Sequence, residues 1–547
     1  MHGDVTGGAR LRRGGPYPDS VDTARGPSAS SVAGEDASSV LPLIPAAGVC
    51  LHITSLPGEF GIGEIGSGAL RFVDTLAAMG MRVWQFLPLG PTAYGDSPYQ
   101  PLSTFAGNET LLDIGQLVRL GLVREEETAT LRGMPAETVD YGSVIPLKNR
   151  LLRSAASRFR TGAPADLRTR FEQFVHEHDE AWLHDYAMFR ILKARHDDRA
   201  WMEWAPEFVH REPEALARLA GNSADELEHI KVLQFLFDMQ WRELREYAHE
   251  RGIELFGDMP ICIAFDSADA WANRDLLRVD EDGHPDFVAG VPPDYFSEDG
   301  QLWGNPLYDW EKHARNGYRW WINRLRASAE LADIVRIDHF RGFEAYWAVP
   351  AGAPTAKTGS WLPGPADSLF DALRADLGYL PIVAEDLGVI TDEVEALRDR
   401  YGIPGMHVLQ FDVDDPEFRL DLVPSNSVCY TGTHDNDTTV GWFHGSGNDM
   451  RSPEEIQQTR EAALALTGGT PETIHTDMIR AAFSTAARIA IAPMQDYLGL
   501  GSEARFNTPG SSSGNWRWRL LPGQLGERLV SEIGEMVDRS GRLAPSA

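Results

Sequence analysis

The chain has 547 residues, 43% hydrophobic and 24% charged, which is ample material for a large folded core. A formal net charge of -31 argues against nucleic acid or an anionic membrane as partner, because both need basic patches. No apolar run reaches the length of a membrane span, so the composition fits a soluble protein acting on a neutral substrate.

The 15 Trp and 14 Tyr offer flat amphipathic faces of the kind that grip neutral sugars. Cys50, Cys262 and Cys429 each sit in an apolar run, which predicts buried, inert thiols and a reducing, cytoplasmic compartment. No CxxC or HExxH spacing offers a metal site.

Residues 1–44 are rich in Gly, Ser, Ala, Asp and Arg without hydrophobic period, and are expected to form a disordered leader. Arg12-Arg13 lacks the apolar stretch that a twin-arginine signal would need. The catalytic unit is expected over 45–547. Apolar runs at 48–53 and 82–89, with a helical period at 68–79 between them, read as a β–α–β unit.

From 92 to 251 the alternation stops. A loop opens the segment at Tyr94, and helical periods then run through 181–194 and 227–247, predicting a helical insertion packed over one end of a barrel. Strand patterns return at 253–261, 334–342, 380–388, 405–411, 427–435 and 489–496, with helical periods at 391–401 and 471–484. Eight strands of this kind predict a (β/α)8 TIM barrel with a large, mainly helical insertion between strands 2 and 3.

Several of these strands end in charge: Asp258, Asp338, Glu385 and the pair His434-Asp435. Strand ends of a barrel project toward one face, where its active sites lie. A single terminal acid reads equally as a helix N-cap or a structural ion pair, but four coinciding strand ends are hard to explain that way. A magnesium site built from several acids stays open as a second reading.

Converging carboxylates without metal-ligand histidines suit glycoside chemistry, in which one acid must be ionised and another protonated. Arg336 lies two residues before Asp338 on the same strand face, and should lower its pKa and keep it charged. Glu385 has no adjacent cation in sequence, which suits a raised pKa. Asp435 and His434 are placed to hold sugar hydroxyls.

The stretches Val335-Arg336-Ile337-Asp338-His339-Phe340-Arg341-Gly342, Ala384-Glu385-Asp386-Leu387-Gly388 and Thr433-His434-Asp435-Asn436-Asp437-Thr438 resemble the amylomaltases. These are 4-α-glucanotransferases of glycoside hydrolase family 77, barrel relatives of the α-amylases. Ser97-Pro98-Tyr99-Gln100, Val291-Pro292-Pro293-Asp294-Tyr295-Phe296-Ser297, Gln301-Leu302-Trp303-Gly304-Asn305-Pro306 and Asn507-Thr508-Pro509-Gly510 agree, and the likeness runs from about Leu41 to the C-terminus.

The resemblance implies Asp338 as nucleophile, Glu385 as acid/base and Asp435 as a third, transition-state-stabilising carboxylate. It implies Arg336, His434, Asp258 and Tyr99 in the same subsite. Asp294 and Trp303 would contact sugar, and Asn507 would bind glucan near the cleft. Tyr94 matches an aromatic that some members use in an outlying glucan site.

The implied reaction is a retaining transfer between α-1,4-glucans or maltooligosaccharides, with no cofactor. Phe506 and the Glu109-Thr110 pair depart from the family pattern without touching the implied chemistry. An α-glucan hydrolase of the α-amylase superfamily shares the three carboxylates, and a non-catalytic glucan-binding barrel is the rival from another class.

Overall fold

Eight short runs dominated by apolar residues pair side by side, all parallel, into one sheet. They are β1 Ala46–Cys50, β2 Val83–Gln85, β3 Glu254–Pro260, β4 Ile334–Asp338, β5 Ile382–Ala384, β6 Gly405–Val408, β7 Ser427–Tyr430 and β8 Ile489–Pro493. This computed structural model describes residues 10–12, 41, 45–293, 298–446, 451–511 and 513–543.

The sheet order is β5-β4-β3-β2-β1-β8-β7-β6. Its two ends meet where the Ala384 N–H donates to the Pro404 carbonyl at 2.8 Å, closing the barrel. Alternation along each strand divides the core. Val83, Phe256, Ile334, Val383, Met406 and Ile491 fill the interior, while Trp84, Leu255, Val335, Ala384 and Ala490 join the layer under the outer helices. In β4 that places Arg336 and Asp338 on the interior face with Ile334.

Each predicted strand is present but shorter than its apolar run; the 427–435 pattern, for instance, yields a strand of Ser427–Tyr430. The polar ends leave the sheet because their side chains bond to loops rather than pack, and those ends make the mouth of the barrel.

Between β2 and β3 the chain is mainly helical, with long helices at Tyr141–Gly162, Ala165–His178 and Ala224–Glu250. The last of these does not lie over the barrel end. Its Trp241 indole donates to the Leu331 carbonyl at 3.0 Å, and its Tyr247 hydroxyl donates to Asp74 at 2.9 Å. Those partners belong to the barrel helices Arg319–Leu331 and Ser67–Ala78, so Ala224–Glu250 is itself part of the outer helical ring.

A second, four-stranded antiparallel sheet stands on the loops after β3 and β4 and was not expected from the pattern. Its order is Gln301–Pro306, Phe287–Val291, Ala345–Pro350, Ser360–Pro363. Gly290, Gly304, Pro306, Pro350 and Pro363 interrupt the strand signal there, so the region reads as loop. Near the N-terminus, Arg10–Arg12 pairs antiparallel with Gly388–Ile390; apart from these residues and Leu41, positions 1–44 lie outside the described residues.

Candidate active site

The site is built around one guanidinium. Strand register sets Asp258 of β3 beside Arg336 of β4, and a one-residue continuation sets Glu385 beside Asp338. Arg336 Nη1 donates to Asp258 Oδ2 at 2.6 Å, and its Nη2 donates to Asp338 Oδ1 at 2.9 Å. The Arg336 and Asp258 side chains are 4% and 0% exposed, whereas Asp338 is 31% exposed and opens toward the cleft. Two carboxylates around a buried cation offset the loss of hydration that an isolated charge would suffer.

Asp338 feels opposed forces. Burial pushes its carboxyl up, Arg336 pulls it down, and Asp258 and Asp435 push it up again by like-charge repulsion. The expectation that Arg336 sets Asp338 below its ordinary range is therefore not met: the cation counters burial without overcoming it. Burial, and then the neighbouring Asp338, push Glu385 up to about 8 against the pull of Arg336 and two backbone donors. Those donors are the N–H groups of His339, at 2.6 Å to Oε2, and Leu387, at 3.0 Å to Oε1. His339 adopts a left-handed conformation, φ 56 and ψ 50, which turns the chain just past Asp338 and aims its amide at Glu385.

Tyr99 reaches the same point from the loop after β2. Its hydroxyl donates to Asp258 Oδ2 at 2.8 Å and lies 2.8 Å from His434 Nε2, while the two rings stack at 5.2 Å. With the phenol proton committed to Asp258, His434 Nε2 carries the hydrogen donated to the Tyr99 oxygen. Burial and the acids around it hold the Tyr99 hydroxyl protonated, well above the usual phenol range.

Beyond His434, Asp435 is 42% exposed, with its Oδ2 3.4 Å from His434 Nε2. Asn507 Nδ2 donates to Asp435 Oδ1 at 2.6 Å. Trp303 closes another side, its ring edge-to-face with His339 at 4.9 Å and its indole N–H donating to Gln301 Oε1 at 3.1 Å.

The structure thus gathers Tyr99, Asp258, Trp303, Arg336, Asp338, Glu385, His434, Asp435 and Asn507 at one end of the barrel. Asp294 lies outside the described residues. Tyr94 belongs to the single turn Tyr94–Asp96 that leads into the Tyr99 loop.

Sequence reasoning missed Arg505, which donates to the Asp435 carbonyl at 2.8 Å and the Asn507 carbonyl at 2.7 Å, tying those two segments together. It also missed Asp496, just past β8, which accepts from the Thr439 N–H and from the hydroxyls of Thr431 and Thr439, each at 2.7 Å, under the loop bearing His434 and Asp435. An acid at the end of an eighth strand was the available signal for Asp496. Arg505 carried none, since its acceptors are backbone carbonyls.

Among known proteins, the family model described as 4-alpha-glucanotransferase, glycoside hydrolase family 77, matches residues 51–524. The 4-alpha-glucanotransferase of Synechocystis is 45% identical over 501 residues, covering 90% of this chain and 97% of that protein. That of Thermus thermophilus is 45% identical over 504 residues, covering 91% and 99%. The solved amylomaltase of Streptococcus agalactiae in complex with acarbose superposes with a TM-score of 0.86 at 36% identity, covering 91% of this chain and 100% of that one. The barrel, the matched family model and these relatives agree: the chain belongs to the 4-alpha-glucanotransferases of glycoside hydrolase family 77.

Proposed function

We propose that the chain moves α-1,4-glucan segments onto the 4-hydroxyl of an acceptor glucose or maltooligosaccharide by a retaining double displacement. Asp338 is the nucleophile, Glu385 the acid/base and Asp435 the third carboxylate. Arg336 occupies Asp338 Oδ1, so Oδ2 is the oxygen assigned to attack the anomeric carbon. As the C1–O bond breaks, Glu385 passes its proton to the leaving oxygen. The acceptor 4-hydroxyl then gives its proton to Glu385 and attacks C1, releasing Asp338.

The observation that carries this reading is the pairing of Asp338 and Glu385 at adjacent register positions, with the guanidinium on Asp338 alone of the two. Neighbouring strands lie about 4.8 Å apart, nearer to the roughly 5–5.5 Å between carboxylates in retaining glycosidases than to the wider inverting gap. Tyr99, Asp258, His434 and Asn507 hold the donor sugar and the Asp435 carboxylate in place. By the family resemblance Asp294 and Trp303 contact sugar, and a water-poor acceptor subsite lets an acceptor hydroxyl outcompete water. No cofactor enters the cycle, because the covalent glycosyl ester conserves the energy of the cleaved bond. Three free cysteines, two of them buried, suit the cytoplasm.

Maltotriose tests the proposal. A ladder of longer and shorter glucans plus glucose, at constant total reducing ends, is the expected result. A steady rise in reducing ends would make water the acceptor and the chain a hydrolase.

A further inference from the structure

Glu385 stands at the seam where the barrel closes. Among the described residues one backbone bond joins β5 to β6, from the Ala384 N–H to the Pro404 carbonyl at 2.8 Å. In a regular parallel ladder the next rung would run from the Met406 N–H to the Ala384 carbonyl. The Met406 N–H donates instead to the side chain of Asp386, at 2.8 Å to Oδ1. A carboxylate thus takes the place of a strand rung, one residue beyond Glu385.

That carboxylate is held on its other side too. Asp386 is 1% exposed, and its Oδ2 accepts from Arg398 Nη1, on the helix Asp392–Arg400 that follows β5. Gly405, at the start of β6, leaves the room: a Cβ there would meet Asp386 Oδ2 at 2.5 Å and Arg398 Nη1 at 3.0 Å. An anion buried this deeply needs both partners to offset its lost hydration. The helix, the seam and the residue after Glu385 are therefore fastened at one point.

The fastening reaches Glu385 through the next peptide. The Leu387 N–H, which follows Asp386 directly, donates to Glu385 Oε1 at 3.0 Å, while the His339 N–H holds Oε2. On the β4 side the Glu385 main chain is fixed by its own groups. Its N–H donates to the Ile337 carbonyl at 3.0 Å, and its carbonyl accepts from the Phe340 N–H at 3.1 Å. On the β6 side the tie is the Asp386 side chain. With that tie released, the peptide carrying the Leu387 N–H is free to turn away from the carboxyl it now serves.

We propose that Asp386 is a positioning residue for Glu385: by taking the Met406 amide at the seam it fixes the peptide that follows, and so aims the Leu387 N–H at Glu385 Oε1. Arg398 and Gly405 are the means by which Asp386 is held there. The proposal rests on the reading of Glu385 as the acid/base. Its consequence for titration has one sign: the Leu387 N–H favours the ionised carboxylate, so losing it makes Glu385 harder to ionise. Besides the Asp386–Arg398 pair, the charged groups acting on Glu385 are Asp338 and Arg336 of β4. Burial keeps the His339 ring neutral, down to about 3, and His407 of β6 is turned to Asp412, 3.6 Å away.

The test removes the tie without changing net charge. In the full chain carrying Asp386→Ala with Arg398→Met, the Glu385 carboxyl, followed by carbon NMR, should titrate about half a pH unit higher or more. Maltotriose disproportionation should lose about tenfold in kcat, with KM changed by less than about twofold. Asp386→Asn with Arg398→Gln keeps an oxygen for the Met406 N–H, and should return the titration and most of kcat. Gly405→Ala keeps both charges while displacing Asp386 Oδ2, and decides the matter if the first pair does not fold: the Glu385 titration should again move up. An unmoved titration in the folded alanine pair or in Gly405→Ala overturns the proposal. So does an amide pair as impaired as the alanine pair, which makes Asp386 and Arg398 a clasp of the barrel only. Full activity of Glu385→Gln would strike the acid/base reading instead, and the two failures are separable because the NMR titration needs no turnover.

Discussion

Arg336 serves two acids at once, and the consequences of removing it differ for each. Asp258 is fully buried and would be left with an uncompensated charge, so Arg336→Met should cost about 3–5 kcal/mol of folding stability, measurable by urea denaturation. In the proposed cycle Glu385 acts as an acid and must be protonated, so kcat/KM should fall as pH rises through about 8, approaching tenfold per unit on that limb. Because the Asp338 charge helps hold Glu385 high, Asp338→Asn should move the Glu385 titration to lower pH, which carbon NMR of the carboxyl would follow. The carboxylates themselves were legible from sequence, because alternation along a strand fixes which side chains share a face. Tyr99 and Asn507 could be named only by resemblance, since they arrive from loops far away in the chain. The donors to Glu385 are backbone amides, to which side-chain patterns are blind.

At the scale of elements, the segment between β2 and β3 is fastened to the barrel by a buried pair. Lys148 of helix Tyr141–Gly162 bonds Glu64, in the loop after β1, and donates to the Leu112 carbonyl at 3.0 Å. Their side chains are 0% and 9% exposed, and burial pushes Glu64 up to about 7. Lys148→Met should cost on the order of 3–5 kcal/mol by stranding Glu64, while Lys148→Met combined with Glu64→Leu should recover most of it; thermal melts of both variants decide this. Helical period revealed Ala224–Glu250 but not its duty, because an apolar stripe says that a face is buried and not against what. The four-stranded sheet escaped for a different reason. Its strands are short and broken by Gly and Pro, and their partners lie in separate stretches of chain, so pairing rather than local pattern defines them.

Across the whole molecule, the fold class was readable because eight strand signals separated by helical ones admit few topologies. Which contacts hold the ends of the ring was not. Arg542, far along the chain, donates to the carbonyls of Phe483 at 2.8 Å, Thr485 at 2.8 Å and Ala46 at 3.2 Å, and is 1% exposed. Arg542→Met would leave those carbonyls without this donor beside the β1–β8 junction. A loss on the order of 2–4 kcal/mol is expected, read as an earlier midpoint in chemical denaturation.

That junction also sets a timetable for making the protein. β1 pairs with β8, and Tyr497 donates to the Gly48 carbonyl from 449 positions away at 2.9 Å. A ribosome adding roughly 5–20 residues per second needs on the order of 20–90 s to span such a gap. Throughout that interval β1 has emerged with one flank lacking its native neighbour, an open template for mispairing with another nascent chain. Yield in the cell should therefore track chaperone supply during synthesis more closely than it tracks the stability of the finished barrel.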